Sequence, residues 1–209
     1  MVAPTSNISS PAHFSYDPRS MRYRHTETGR YISGQTVRGV VDSIIDREAL
    51  TMQGIAQDLI AGRINLAEFQ LRMSTNVKRL NVSMALAGNG GINATDQMDY
   101  GYIGSLVKKQ YQYLRGMADQ IKSGEQRLDG TLMTRVAMYA QAARDAHEKM
   151  RERAAKASGK NQSRSLLGAA DHCSQCLSEA ARGWVKIGSL IPIGERLCKA
   201  RCHCSISYR

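Results

Sequence analysis

The sequence predicts a mainly α protein: an antiparallel helical bundle with an extended N-terminal arm and a small C-terminal zinc-binding unit. Three observations point there. Aromatic residues are only 6% of the 209, so Ala, Met, Leu and Ile must do most of the packing, which suits helices better than a sheet sandwich. Apolar residues recur at three- and four-residue steps through the middle of the chain, the period of one helix face. All five cysteines crowd into the last 37 residues.

Residues 1–35 read as the arm. Pro4, Pro11 and Pro18 are three of the four prolines, Ser, Thr, Asn and Gly fill much of the rest, and no helical period is visible. Such a segment buries too little apolar surface to fold alone. Its rings, Phe14, Tyr16, Tyr23 and Tyr31, would anchor it across a neighbouring subunit.

Residues 36–158 read as the helical body. A first helix starts at Thr36, with Val37, Val40, Val41, Ile44, Ile45, Met52, Ile55, Ala56, Leu59 and Ile60 in register and Gly62 as its stop. Asn65 caps a second helix, with Glu68 placed for a capping box. Leu66, Phe69, Met73, Val77, Leu80 and Met84 form its stripe. The run Gly88-Asn89-Gly90-Gly91 breaks the chain. Thr95 and Asp96 open a third helix, carrying Ile103, Val107, Leu114, Met117 and Ile121 and closed by Ser123-Gly124. A fourth spans Asp129 to Ala157, and its charged end, HEKMRERAAK, is expected to project into solvent or along a partner. Short connections make neighbouring helices antiparallel. Residues 159–170 are polar and read as a linker, and no segment before Gly183 reads as a strand.

The net charge is +11 and uneven: from Arg151 to Arg209 there are eleven Lys and Arg against four Asp and Glu, a net of +7. Such a bias points to an acidic partner, nucleic acid first; a solvated surface gives the same composition. No apolar run reaches the length of a membrane span, and the first residues lack a basic stretch followed by an apolar one. The chain is therefore expected in a reducing cytoplasm, which favours metal or thiol roles for cysteine over disulfides.

The C-terminal unit, residues 171–209, carries Cys173, Cys176, Cys198, Cys202 and Cys204. The first pair has the two-residue spacing that aims two thiolates at one ion, and the other three fall within seven residues. A structural zinc site takes four ligands. Cys198 and Cys202, four apart, can share one face of a turn, whereas Cys202 and Cys204 point oppositely in an extended segment. The favoured set is Cys173, Cys176, Cys198 and Cys202 around one Zn2+, with Cys204 as substitute; His172 and His203 rank below, each crowding an adjacent cysteine. The spacer holds Trp184, Val185, Ile187, Leu190, Ile191 and Ile193, too little to fold by burial alone, so the ion would supply the missing stability.

Cys173 and Cys176, a Trp-containing spacer, Pro192-Ile193-Gly194, and Cys202-His203-Cys204 together resemble the C-terminus of the Mu F-like head morphogenesis proteins of tailed bacteriophages. Their ending typically reads as a His-Pro-x-Cys-Arg-Cys block. Here that histidine is absent, with Cys198 near its place, and His203 replaces the Arg. The segment GRYISGQTVRGVVDSII also looks like phage virion proteins. The resemblance implies a minor capsid or head–tail component near the portal and packaged DNA, with no catalytic residues to carry over. Portal, capsid or neck subunits become the expected partners, the virion the expected location, and a homo-oligomeric assembly the expected setting.

Nothing predicts an enzyme. A P-loop and H-E-x-x-H are both absent. Asp42, Asp46 and Glu48 read as a solvated helix face, Asp96 and Asp99 as partners of a helix N-terminus, and His147 as exposed. A zinc-containing DNA-binding protein is the alternative.

Overall fold

The structure, a computed structural model, describes residues 11–17, 20, 22–168 and 171–209. Of the arm expected over residues 1–35, residues 1–10, 18, 19 and 21 lie outside them. The chain is mainly helical, with four long helices, one short helix and two small sheets among the described residues.

Helix α1 spans Gly34–Ile60, α2 Leu66–Asn89, α3 Gln97–Ser123 and α4 Gly130–Ala157. Local chemistry explains each start. The Ser33 hydroxyl accepts the Thr36 N–H at 3.0 Å, so α1 begins two residues earlier than its apolar period shows. The Asn65 side chain accepts from Glu68 N at 2.9 Å. Asp96 and Asp99 close a full capping box, and Asp129 caps α4 through Thr131 N. Two orphan N–H groups are satisfied at a capping box, and each such cap contributes about 1 kcal/mol. Gly90 and Gly124, both left-handed, end α2 and α3.

The apolar stripes meet as the periodicity requires. Val37, Val41, Ile45 and Met52 of α1, Phe69, Met73, Val77 and Met84 of α2, Met117 of α3, and Leu132, Val136 and Ala143 of α4 are buried. Helix α2 packs on α1, α3 and α4; α4 also packs along α1 and touches α3 only slightly. Five methionines (52, 73, 84, 117 and 150) are fully buried. Their unbranched side chains fill the irregular gaps left by so few aromatics. Gly88 marks the tightest approach: a Cβ there would stand 2.1 Å from the His147 carbonyl oxygen, so α2 can lie directly on α4 only with glycine at this turn.

Residues read as an extended arm instead contain three short antiparallel strands, β1 Phe14–Asp17, β2 Arg22–His25 and β3 Tyr31–Ile32, in that order. Four residues or fewer per strand is too short for an alternation to stand out in sequence. The rings anchor within the chain. Phe14 joins the helical core, and Tyr23 packs edge-on against it, centroids 5.8 Å apart. Tyr16 N donates to Gly90 O at 3.0 Å, fastening the sheet to the end of α2. Tyr31 is exposed, with Arg22 and Arg24 against its ring.

The polar stretch read as a linker holds β4, Gln162–Leu166, the central strand of a second sheet in which β5 (Val185–Lys186) and β6 (Ser205–Tyr208) flank it, both antiparallel. Its inward positions are serines: Ser163 and Ser165 are buried while their neighbours are not. Small polar side chains at crowded positions give a strand the composition of a loop.

The charged end of α4 does not project. Met150, His147, Glu148 and Ala155 are all buried: Met150 packs with Ala85 of α2 and Ile103 of α3, His147 lies against Gly88 of α2, and Tyr23 and Tyr208 of the two sheets face Arg151 beside Glu148. Glu148 accepts two hydrogen bonds from Arg151 Nη1, at 3.1 and 3.0 Å, with His147 Nδ1 3.2 Å away. Burial alone would raise the Glu148 pKa, but the Arg151 cation and His147 outweigh it and hold it at about 2. The Arg151 guanidinium also faces the Tyr208 ring at 5.7 Å. Glu48, expected on a solvated face, is buried too, paired with Arg79 at 2.6 Å, and Asp42 pairs with Arg144. Among the described residues, no helix is long and apolar enough to cross a membrane.

Candidate metal centre

Local backbone geometry brings the cysteines together. Cys173 is the N-cap of α5, Ser174–Ala181, and Cys176 lies in its first turn, so both sulfurs leave the same end of one helix. Across the spacer, Cys198 opens a 3-10 turn over Lys199–Arg201, and Cys202 closes it. Lys199 sits at φ 48°, a left-handed conformation uncommon for a side chain with a Cβ, and the turn is tied by Arg201 N to Cys198 O at 3.0 Å and Cys202 N to Lys199 O at 3.2 Å. Cys204 immediately precedes β6.

The spacer is pinned by its own polar contacts. The buried Glu179 carboxylate accepts from Ile191 N at 3.1 Å and from Arg182 at 3.0 Å. Gln175 Oε1 accepts from Leu197 N at 2.7 Å. Leu190, Ile193 and Ile206 pack around Cys176, Cys202 and Cys204 in a small core separate from the helical one.

All five predicted residues converge. Cys176 Sγ lies 3.5 Å from that of Cys173, 3.6 Å from that of Cys198 and 3.7 Å from that of Cys202. A disulfide has sulfurs about 2.05 Å apart, and all five thiols are free. A tetrahedron with metal–sulfur distances of about 2.3 Å has sulfur–sulfur edges of about 3.8 Å, close to these separations. Two triads fit a shared ion, Cys173 with Cys176 and Cys198, and Cys176 with Cys202 and Cys204, each with sulfurs within 4.8 Å of one another. Cys176 belongs to both.

The electrostatics divide the thiols. Backbone N–H groups of Cys176 and Cys198 face the Cys173 sulfur and hold its pKa down to about 7. Burial pushes Cys176 and Cys198 up and Cys204 to about 12. Buried thiols of this kind stay protonated unless a cation takes the proton's place, and a bound metal does so.

Sequence reasoning missed Arg196, the largest fully buried side chain. Its Nη1 reaches Ser165 Oγ at 3.0 Å and Cys176 Sγ at 3.8 Å, its Nε donates to Ile191 O at 3.0 Å, and Nη2 has no partner among the described residues. A lone loop arginine carries no sequence signal for burial. Of the two histidines, His203 is exposed, whereas His172 places Nδ1 3.7 Å from Cys204 Sγ and Nε2 2.9 Å from Gly168 O.

The cluster can hold a metal ion in a pocket of thiol ligands lined by apolar side chains and backed by a buried cation. No family profile, curated protein or solved structure matches this chain.

Proposed function

We propose that the protein is a structural component of a tailed-bacteriophage particle, a minor capsid or head–tail protein near the portal that braces neighbouring subunits. Its four long helices act as an antiparallel bundle, and a zinc ion stiffens the C-terminal unit. The observation that carries this reading is the convergence of five free thiols within the segment whose order of Cys173, Cys176, Trp184, Pro192, Cys202 and Cys204 resembles the Mu F-like tail. Cys173, Cys176, Cys198 and Cys202 are the favoured ligands. Four thiolates leave no open coordination position, so the ion is structural rather than catalytic, and the chain is not an enzyme. The partners are portal, capsid or neck subunits, and the packaged genome is the acidic surface its basic charge suits.

Two measurements test this. Mass spectrometry of purified particles should find the chain at fixed stoichiometry with the portal; its absence from intact particles overturns the virion role. Elemental analysis of purified protein should find zinc, and less than about half an equivalent with thiols intact overturns the metal.

The second reading, a zinc-containing DNA-binding protein, draws on Lys199 and Arg201, both exposed between the ligands. Tight DNA binding by the isolated chain, with affinity falling steeply as salt rises, would favour it.

A further inference from the structure

Cys204 and His172 are left over once one ion takes the four favoured sulfurs. They are not idle neighbours. The His172 Nε2 to Gly168 O distance of 2.9 Å fits an N–H donated to a carbonyl, which puts the lone pair on Nδ1. That is how a backbone acceptor orients a ligating imidazole. Nδ1 then faces Cys204 Sγ at 3.7 Å. A tetrahedral ion bound to one imidazole nitrogen and one thiolate separates the two atoms by about 3.6 Å.

From this we infer that the centre holds two divalent d10 ions, with Cys176 and Cys202 bridging them. The first ion takes Cys173, Cys176, Cys198 and Cys202; the second takes Cys176, Cys202, Cys204 and His172. The inference rests on the structural-zinc reading above and extends it by one ion. Its basis is that Cys176 is common to both sulfur triads; Cys202 belongs to the second triad and, 3.7 Å from Cys176, is the sulfur the inference adds to the first ion.

Charge supports the pair over the single ion. Burying net charge is costly unless it is compensated. One divalent ion with four thiolates and the buried Arg196 cation leaves one uncompensated negative charge. Two divalent ions bring four positive charges, five thiolates bring five negative ones, and Arg196, with Nη1 3.8 Å from Cys176, neutralises the remainder. This gives the buried guanidinium a role beyond its bonds to Ser165 and Ile191. It also accounts for a fifth cysteine that is buried beside the others rather than exposed.

The test is native mass spectrometry of the full chain titrated with Zn2+. Two bound ions are expected in the wild type and one each in Cys204→Ser and His172→Gln, which leave the first ion's four ligands untouched. A wild type that saturates at one ion overturns the second site and leaves the structural-zinc reading standing; a wild type that binds none overturns both. Variants that still bind two ions overturn the assignment of Cys204 and His172. Bridging is read separately by loading with Co2+. The high-spin signal in electron paramagnetic resonance should rise over the first equivalent and fall over the second as shared sulfurs couple the spins. A signal that keeps growing through the second equivalent overturns the bridge.

Discussion

Replacing Gly88 with alanine should destabilise the protein by about 2–3 kcal/mol, within the range for overpacked interiors, although glycine to alanine within a helix ordinarily stabilises by about 0.5–1 kcal/mol. The reversal follows from one contact. The new Cβ would lie 2.1 Å from the His147 carbonyl oxygen and 2.9 Å from its carbonyl carbon. Carbon–oxygen contacts settle at about 3.3 Å or more, so α2 and α4 must part by about 1 Å. The obstacle is backbone and cannot swing aside. Separation would also loosen Ala85, Ala146 and Met150, which pack together beside this crossing. Gly116, inside α3, is the control, because nothing lies within 4 Å of the place its methyl would take. Gly116→Ala should therefore gain the ordinary helix increment. Urea unfolding followed by far-UV circular dichroism measures both. In a chain of this size about 1 kcal/mol moves Tm by roughly 2–4 °C, so Gly88→Ala should melt roughly 5–10 °C lower and Gly116→Ala slightly higher. Equal stability of the two variants would refute the direct α2–α4 contact.

Glu148→Gln leaves Arg151 facing no carboxylate at a buried position, and a loss of about 3 kcal/mol is expected by chemical denaturation. The pH dependence has a definite sign: the Glu148 pKa falls from an ordinary 4.5 to about 2 on folding. Its stabilisation is therefore complete above 4.5 and lost as pH drops towards 2, and the stability difference between parent and Glu148→Gln should vanish across that window. Arg196→Met removes the cation beside Cys176 while keeping much of the side-chain volume. Competition against a chelator should show metal affinity weakened by about 10- to 100-fold, as for other groups that support ligands from behind; unchanged affinity would argue that Arg196 only packs. Stripping the metal under reducing conditions should raise amide hydrogen exchange in β4, β5, β6 and α5 while α1 and α2 stay protected, and uniform loss of protection would contradict a separate small core.

Much of this was legible in the sequence where the signal was long or chemically distinctive. All four long helices follow from repeated apolar positions, two of them also from caps at Asn65 and Asp96. The five cysteines announced their convergence through spacing, since a close pair and a close trio of thiols imply a common target. The sheets were hidden for a physical reason. Strand β3 has two residues, and β4 presents serines to its buried side, so neither alternation nor hydrophobicity marks them. The charged end of α4 misled for a related reason. Glu148, Arg151 and His147 look like solvated residues in one dimension, yet Arg151 neutralises Glu148, with His147 beside them, beneath strands that arrive from both sides of the chain. Arg196 was illegible because its contact with Cys176 lies 20 residues away, and His172 ranked low because its approach to Cys204 spans 32 residues.

The way both sheets close over α4 bears on the order in which the molecule assembles. Helices α1 and α2 are joined by a short turn and can pair through nearby residues, which is fast. The Lys160 to Tyr16 hydrogen bond spans 144 positions, and β4 must wait for β6, whose register pairs Ser163 with Tyr208. Closing loops of that length is entropically slow. The helical part should therefore consolidate first and present α4 as a template, with both sheets docking afterwards on a surface already built. Until they dock, the Glu148–Arg151 pair stays in water and the desolvation it must undergo is deferred. The last barrier in folding is then drying this polar end of α4, not forming the apolar core.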